Sequence, residues 1–183
     1  MKHATYDAMI VVDMQTALVA GHPWRQMQVV QNIRSLLQSC RKAGIPVIYV
    51  RHDGGKGDEL ERGTDGWRID AALTPQQGEA VFDKQYNSAF LGTGLAAYLN
   101  KEGINHFILC GMQTEYCIDA TCKAALEHGF TVTIAQGTTT TFDNEYMTAE
   151  QCCRYFEENI WNGRTASVLS FESVLFELVQ QQP

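Results

Sequence analysis

The chain has few prolines, modest charge and no long apolar run, and each shortage excludes something. Four prolines and 45% hydrophobic residues describe a globular composition with no disordered or proline-rich linker. No stretch approaches the roughly 18 consecutive apolar residues that a membrane span requires. There is no run of Lys or Arg, and the formal charge of −7 argues against a nucleic-acid partner, since phosphate-backbone binders present a basic face. The six cysteines, at 40, 110, 117, 122, 152 and 153, include no C-x-x-C pair, so a zinc knuckle is poorly supported. The opening residues MKHATYD pass almost directly into a candidate strand, with no signal-peptide pattern. The expectation is a soluble, cytoplasmic protein that contacts neither membrane nor nucleic acid. Its 183 residues suit a single domain, 1–183, large enough to bury a core without disulfides.

What is present is an alternation. AMIVVD (8–13), PVIYVR (46–51), HFILCG (106–111), TVTIAQ (131–136) and ASVLSF (166–171) are continuous apolar runs, the pattern of strands covered on both faces. Helical spacing lies between them. Met27, Val30, Ile33, Leu37 and Cys40 recur at i, i+3 and i+4, and Gly44 and Pro46 stop that helix. Leu95, Tyr98 and Leu99 mark a second helix before Gly103, residues 115–128 a third before Gly129, and 148–160 and 172–179 two more. The last contains SVLFELV, which can serve an interface or cover the sheet. This order predicts an α/β fold: a doubly wound, mostly parallel sheet between two helical layers. Ligands in such folds bind beyond the carboxyl ends of the strands, near a switch in strand order.

One segment interrupts the alternation. Residues 51–80, rich in Gly and charge, have no sustained period and read as a lid or pocket wall rather than a mobile linker. Trp67 and Ile69 give it something to bury. A short strand near Ala80–Asp83 follows, with Lys84 just past its end.

Asp13, Lys84 and Cys117 thus fall at three strand ends on one edge of the sheet. With Thr114 as N-cap, Cys117 lies in the first turn of a helix, where the dipole and a lysine favour thiolate over thiol. A thiolate is a nucleophile, a neighbouring carboxylate can carry protons, and unpaired N–H groups at a helix start can hold an oxyanion. Gly111 lets the chain turn tightly before that helix. Taken singly, each residue has an ordinary explanation as buried thiol, N-cap or solvated surface, and only their shared placement suggests chemistry. Two weaker motifs are set aside. GTGLAA (92–97) fits G-x-G-x-x-A, but the preceding KQYNSAF is no strand, so a dinucleotide site is rejected. Cys152-Cys153 is better read as core packing than as a strained vicinal disulfide.

DMQ at 13–15, K-x-x-x-S-A-F at 84–90 with Gly92-Thr93, and CGMQTEYC at 110–117 together resemble the isochorismatase-like cysteine hydrolases, over about Tyr6 to Gly137. RHDGG and GTDGW further resemble the branch that includes streptothricin hydrolase. The resemblance implies a six-stranded, Rossmann-like parallel sheet, with Cys117 as nucleophile, Asp13 as proton carrier and Lys84 as the cation that lowers the thiol pKa. It also implies a cis peptide at Met112–Gln113, with Met112, Gln113 and Cys117 forming the oxyanion site. The pocket candidates are Trp67, Phe90, Gln15, His52 and Tyr116. Leu18 is a further candidate, in DMQTALV, which lacks the phenylalanine that usually follows DMQ in the family. Isochorismatase proper cleaves a vinyl ether without a nucleophilic cysteine, so Cys117 argues against that reaction. The nicotinamidase branch binds metal through Asp-x-His. This chain has Arg51, His52 and Asp53 there, so neither metal nor other cofactor is expected. The expected activity is cysteine-dependent hydrolysis of a C–N amide or related acyl bond in a small molecule, by a homo-oligomer, most simply a dimer. The alternative is a non-catalytic, oligomeric or partner-binding member of the same fold.

Overall fold

Strand β1, Ala8–Val12, is buried along its whole length, and its alternation shows how the layers assemble. Met9 and Val11 point into one apolar cluster, while Ala8, Ile10 and Val12 point into another on the opposite face, as the two-residue period of a strand requires. The computed structural model describes residues 5–182. After β1 come α1 (Thr16–Ala20), α2 (Gln26–Lys42), β2 (Val47–His52), β3 (Ala80–Lys84), α3 (Leu95–Lys101) and β4 (His106–Met112). A wide helical turn, Thr114–Ile118, leads into α4 (Asp119–Glu127). The chain continues through β5 (Thr131–Ala135), β6 (Thr139–Thr140), α5 (Ala149–Tyr155), a second wide turn (Phe156–Trp161), β7 (Ser167–Leu169) and α6 (Phe171–Gln180).

Six strands run in the order β3-β2-β1-β4-β5-β7, and the two-residue β6 pairs with β4 off that path. Every pairing between these strands is parallel, as the apolar runs predict, and an isolated antiparallel bridge joins Gln15 to Ile69. Helix α2 contributes Ile33, Leu36, Leu37 and Cys40 to one face, joined by Val174 and Leu178 of α6. Leu95 and Leu99 of α3, Cys122 and Ala125 of α4, and Trp161 cover the other. The α6 residues therefore cover the sheet. Met27, assigned to the apolar stripe of α2 from sequence, is 84% exposed. The short α1 and β6 lie below what apolar periodicity detects. Among the described residues no helix is long and apolar enough to cross a membrane.

The strand order reverses between β1 and β4, so the predicted ligand crevice opens there. The long segment after β2 forms a fixed wall of that crevice. Its backbone is tied to the start of α1 by Thr16 N–H to Arg68 O (2.8 Å), Ala17 N–H to Gly66 O (3.1 Å) and Asp70 N–H to Met14 O (2.9 Å).

Candidate active site

Four adjacent strands, β3, β2, β1 and β4, end at this crevice, and each supplies a polar or reactive group. Lys84 is the last residue of β3 rather than the residue after it, and pairs in register with His52, the last of β2. Asp13 follows β1 directly in a left-handed conformation (φ 53°), which aspartate tolerates better than most residues. Beyond β4 the Met112–Gln113 peptide is cis, and the wide turn carries Cys117. Thr114 does not cap this turn. Gln113 occupies the cap position, its carbonyl accepts from Tyr116 N–H (3.2 Å) and Ile118 N–H (3.1 Å), and Thr114 Oγ1 lies 3.3 Å from Cys153 Sγ.

Lys84 holds the group together. Its Nζ lies 2.7 Å from Asp13 Oδ2, 3.2 Å from Cys117 Sγ and 3.3 Å from His52 Nδ1. The Lys84 and Asp13 side chains are 0% and 2% exposed, so this is a buried ion pair, and removing either partner would strand a charge at about 3–5 kcal/mol. Asp13 Oδ1 is buried with no hydrogen-bond partner among the described residues. An unpaired buried carboxylate oxygen points to function rather than stability.

A cavity of about 160 Å³ opens onto these groups. Of the residues singled out from sequence, Asp13, Leu18, His52, Met112, Gln113, Tyr116 and Cys117 line it, and Lys84 stands behind them. Three do not. Gln15 is fully buried and acts as a clamp: its Oε1 accepts from His52 N–H (2.8 Å), and its Nε2 donates to the carbonyls of His52 (2.9 Å) and Trp67 (2.9 Å). Trp67 is stacked under the Arg51 guanidinium, 3.5 Å from the ring centroid. Phe90 turns into the core and stacks on Phe130, centroids 5.8 Å apart. Leu60 and Asn87, absent from the sequence-based set, do line the cavity, and Asn87 Oδ1 lies 3.9 Å from Cys117 Sγ. Asn87 falls inside the K-x-x-x-S-A-F segment, the one signal that could have found it. Leu60 sits in aperiodic sequence that offered none. Replacing Gln15 with leucine removes all three clamp bonds and leaves their partly buried backbone partners unpaired. The expected loss is about 2–4 kcal/mol in urea unfolding, and a loss below about 1 kcal/mol would show that the clamp is dispensable.

The thiol differs from its sequence-based expectation. Burial and the Asp13 carboxylate together push the Cys117 pKa up to about 12, against the opposing pull of Lys84. Burial also raises Asp13, offset in part by Lys84, and lowers His52, with Lys84 adding to the effect. Lys84 is thus shared between two acids, and the resting sulfur is a thiol rather than a preformed thiolate. A raised thiol pKa means that the reactive anion accumulates only as pH climbs. Alkylation of Cys117 by iodoacetamide, followed by mass spectrometry, is therefore expected to keep accelerating from about pH 7 to about pH 10, beyond the levelling of an ordinary thiol of pKa about 8.5. A plateau below about pH 8 would restore the preformed thiolate.

The fold and this grouping define a doubly wound α/β protein with a cysteine–lysine–aspartate centre at its topological switch point. Residues 7–157 match the isochorismatase domain, and the chain belongs to that family. It is 34% identical over 138 residues to streptothricin hydrolase of Streptomyces noursei, covering 74% of this chain and 50% of that protein. It is 33% identical over 142 residues to maleamate amidohydrolase of Pseudomonas putida, covering 67% of each. A crystal structure of an isochorismatase-family protein from Chromobacterium violaceum superposes with a TM-score of 0.86 at 29% identity, covering 96% of this chain and 94% of that one. The chain spans about half the length of the streptothricin hydrolases it matches, 50% and 55%. Among the described residues no three or more His, Cys, Asp or Glu side chains cluster as a metal site would need.

Proposed function

We propose that the protein hydrolyses the C–N bond of a small amide through a thioester on Cys117. The observation that carries this reading is one buried ammonium, Lys84 Nζ, in contact with both Asp13 (2.7 Å) and Cys117 (3.2 Å) behind the wall of a pocket that those two residues line. Cys117 Sγ attacks the carbonyl carbon as its proton passes to Asp13, whose raised pKa makes it a better base than an exposed carboxylate. N–H groups around Gln113 and Cys117 hold the resulting oxyanion. Collapse breaks the C–N bond, and Asp13 returns the proton to the departing amine. A water then attacks the thioester, one of its protons moving to Asp13 and on to sulfur as the carboxylic acid leaves. Lys84 Nζ, in contact with both, balances whichever of Asp13 or Cys117 is anionic. Relatives named streptothricin hydrolase and maleamate amidohydrolase support hydrolytic chemistry, and the latter name supports an amide bond.

A panel of small primary amides assayed for released ammonia tests this. At least one is expected to turn over. Broad inactivity together with a Cys117 no more reactive than a buried thiol would sink the proposal in favour of a non-catalytic binding role.

A further inference from the structure

The His52 ring makes a polar contact that the proposed reaction does not use. An ammonium carries three protons and no lone pair. The three acceptors around Lys84 Nζ are Asp13 Oδ2, Cys117 Sγ and His52 Nδ1, one for each proton. Nδ1 of His52 must therefore accept, which puts the ring proton on Nε2. The imidazole lines the cavity, and Nε2 has no hydrogen-bond partner among the described residues. Gln15 fixes the His52 backbone from both sides, so the ring is held at its base and at its inner nitrogen.

Charge sets the rest. Among the described residues no cation lines the cavity. Lys84 has no proton left over, and Arg51 and Arg62 both turn to Asp83 (2.6 and 3.4 Å). Among the described residues the one Asp, Glu, Lys or Arg in the lining is Asp13, an acid. A carboxylate entering here would lose water and gain no counterion, which is costly in a dry site. An uncharged carbonyl loses much less and gains a donor. The volume, about 160 Å³, is below the roughly 300–1,000 Å³ of drug-sized sites, so it holds the reacting end of a ligand rather than a large molecule.

We propose that His52 is a substrate-facing donor, fixed as the neutral Nε2–H tautomer by Lys84, and that the pocket accepts an uncharged amide end and rejects carboxylates. This rests on the reading above in taking the ligand to be an amide. Burial and the nearby Lys84 also lower the His52 pKa, which keeps the ring in its neutral form.

Alkylation of Cys117 tests the inference without needing turnover. Sulfur displaces iodide from iodoacetamide, iodoacetate or iodomethane, and the thiol proton leaves to Asp13 or solvent. Rates are read by mass spectrometry of the Cys117 peptide and referred to 2-mercaptoethanol. Cys117 is expected to prefer iodoacetamide over iodoacetate at least about tenfold more strongly than the free thiol does. In His52→Ala the iodoacetamide rate is expected to fall about tenfold relative to that of iodomethane, which has no carbonyl. His52→Gln, with an amide donor, is expected to recover most of it. Equal preference to the free thiol in the wild-type protein overturns the proposal. So does an unchanged iodoacetamide-to-iodomethane ratio in His52→Ala, or a ratio as low in His52→Gln as in His52→Ala, which would assign the loss to packing. Strong discrimination in a protein that hydrolyses no amide would leave this inference standing and remove the proposed activity. Turnover of amides without discrimination would do the reverse.

Discussion

Cys117→Ala is expected to lower kcat/KM, on whichever amide the ammonia screen identifies, by about 10⁴- to 10⁶-fold. That corresponds to about 5–8 kcal/mol of transition-state stabilisation. The argument does not rest on the cysteine alone. Lys84 is fully buried, and its contacts are the Asp13 carboxylate, the Cys117 sulfur and the His52 ring. A protein that needed only stability would gain more from packed apolar groups there, since a buried ion pair seldom outperforms a hydrophobic replacement. Cys117→Ser separates the sulfur from the rest of the site. It keeps a proton and a lone pair in place, but a serine hydroxyl is a far weaker nucleophile than a thiol, and Asp13 and Lys84 supply no imidazole to activate it. Both variants are therefore expected to lose comparable activity while unfolding within about 1 kcal/mol of the wild type, because removing the sulfur strands no charge. Retention of more than about one-tenth of the activity by Cys117→Ala would end the covalent reading.

The parallel sheet was legible because its strands are buried on both faces and so read as unbroken apolar runs. The Asp13–Lys84–Cys117 grouping followed from the rule that parallel strands end on one edge. The details that failed depend on information a linear sequence does not hold. Phe90 and Trp67 are both aromatic residues in irregular segments, one after β3 and one between β2 and β3, yet one turns into the core against Phe130 and the other lies under Arg51. Side-chain direction in an irregular segment follows its backbone path, and residues 51–80 have no period from which to infer one. The Lys84–His52 contact depends on β3 and β2 being neighbours. Alternation of strands and helices predicts a sheet without fixing that order. The thiol pKa failed for a related reason: dipole and lysine were visible in the pattern, but burial depth, the largest cause of the shift, was not. Gly111 was assigned to a tight turn, whereas it lies within β4, and what it provides is proximity between two strands.

That proximity carries the other large expected effect. Gly111 has φ +123°, and a Cβ built there would lie 2.0 Å from the Val12 carbonyl oxygen and 2.9 Å from its nitrogen and carbonyl carbon. All three are backbone atoms of the neighbouring strand, so no side chain can swing aside. Val12 and Gly111 are partners in the β1–β4 register, immediately before Asp13 on one strand and the cis peptide on the other. Gly111→Ala must therefore either part the strands at the switch point or abandon the backbone conformation, and the expected result is a loss of more than about 4 kcal/mol or failure to accumulate as folded protein. Gly103→Ala is the control. That glycine also has positive φ (+69°), but a Cβ there meets nothing within 4 Å, so the backbone term alone predicts about 1–2 kcal/mol. Urea unfolding of both variants separates steric approach from conformational preference. If Gly111→Ala folds to the wild-type structure with a loss no greater than that of Gly103→Ala, β1 and β4 are not held as closely as the site requires. If it folds with the strands parted, Asp13 and Cys117, which continue from those two strands, should separate, and hydrolysis should fall toward the level of Cys117→Ala.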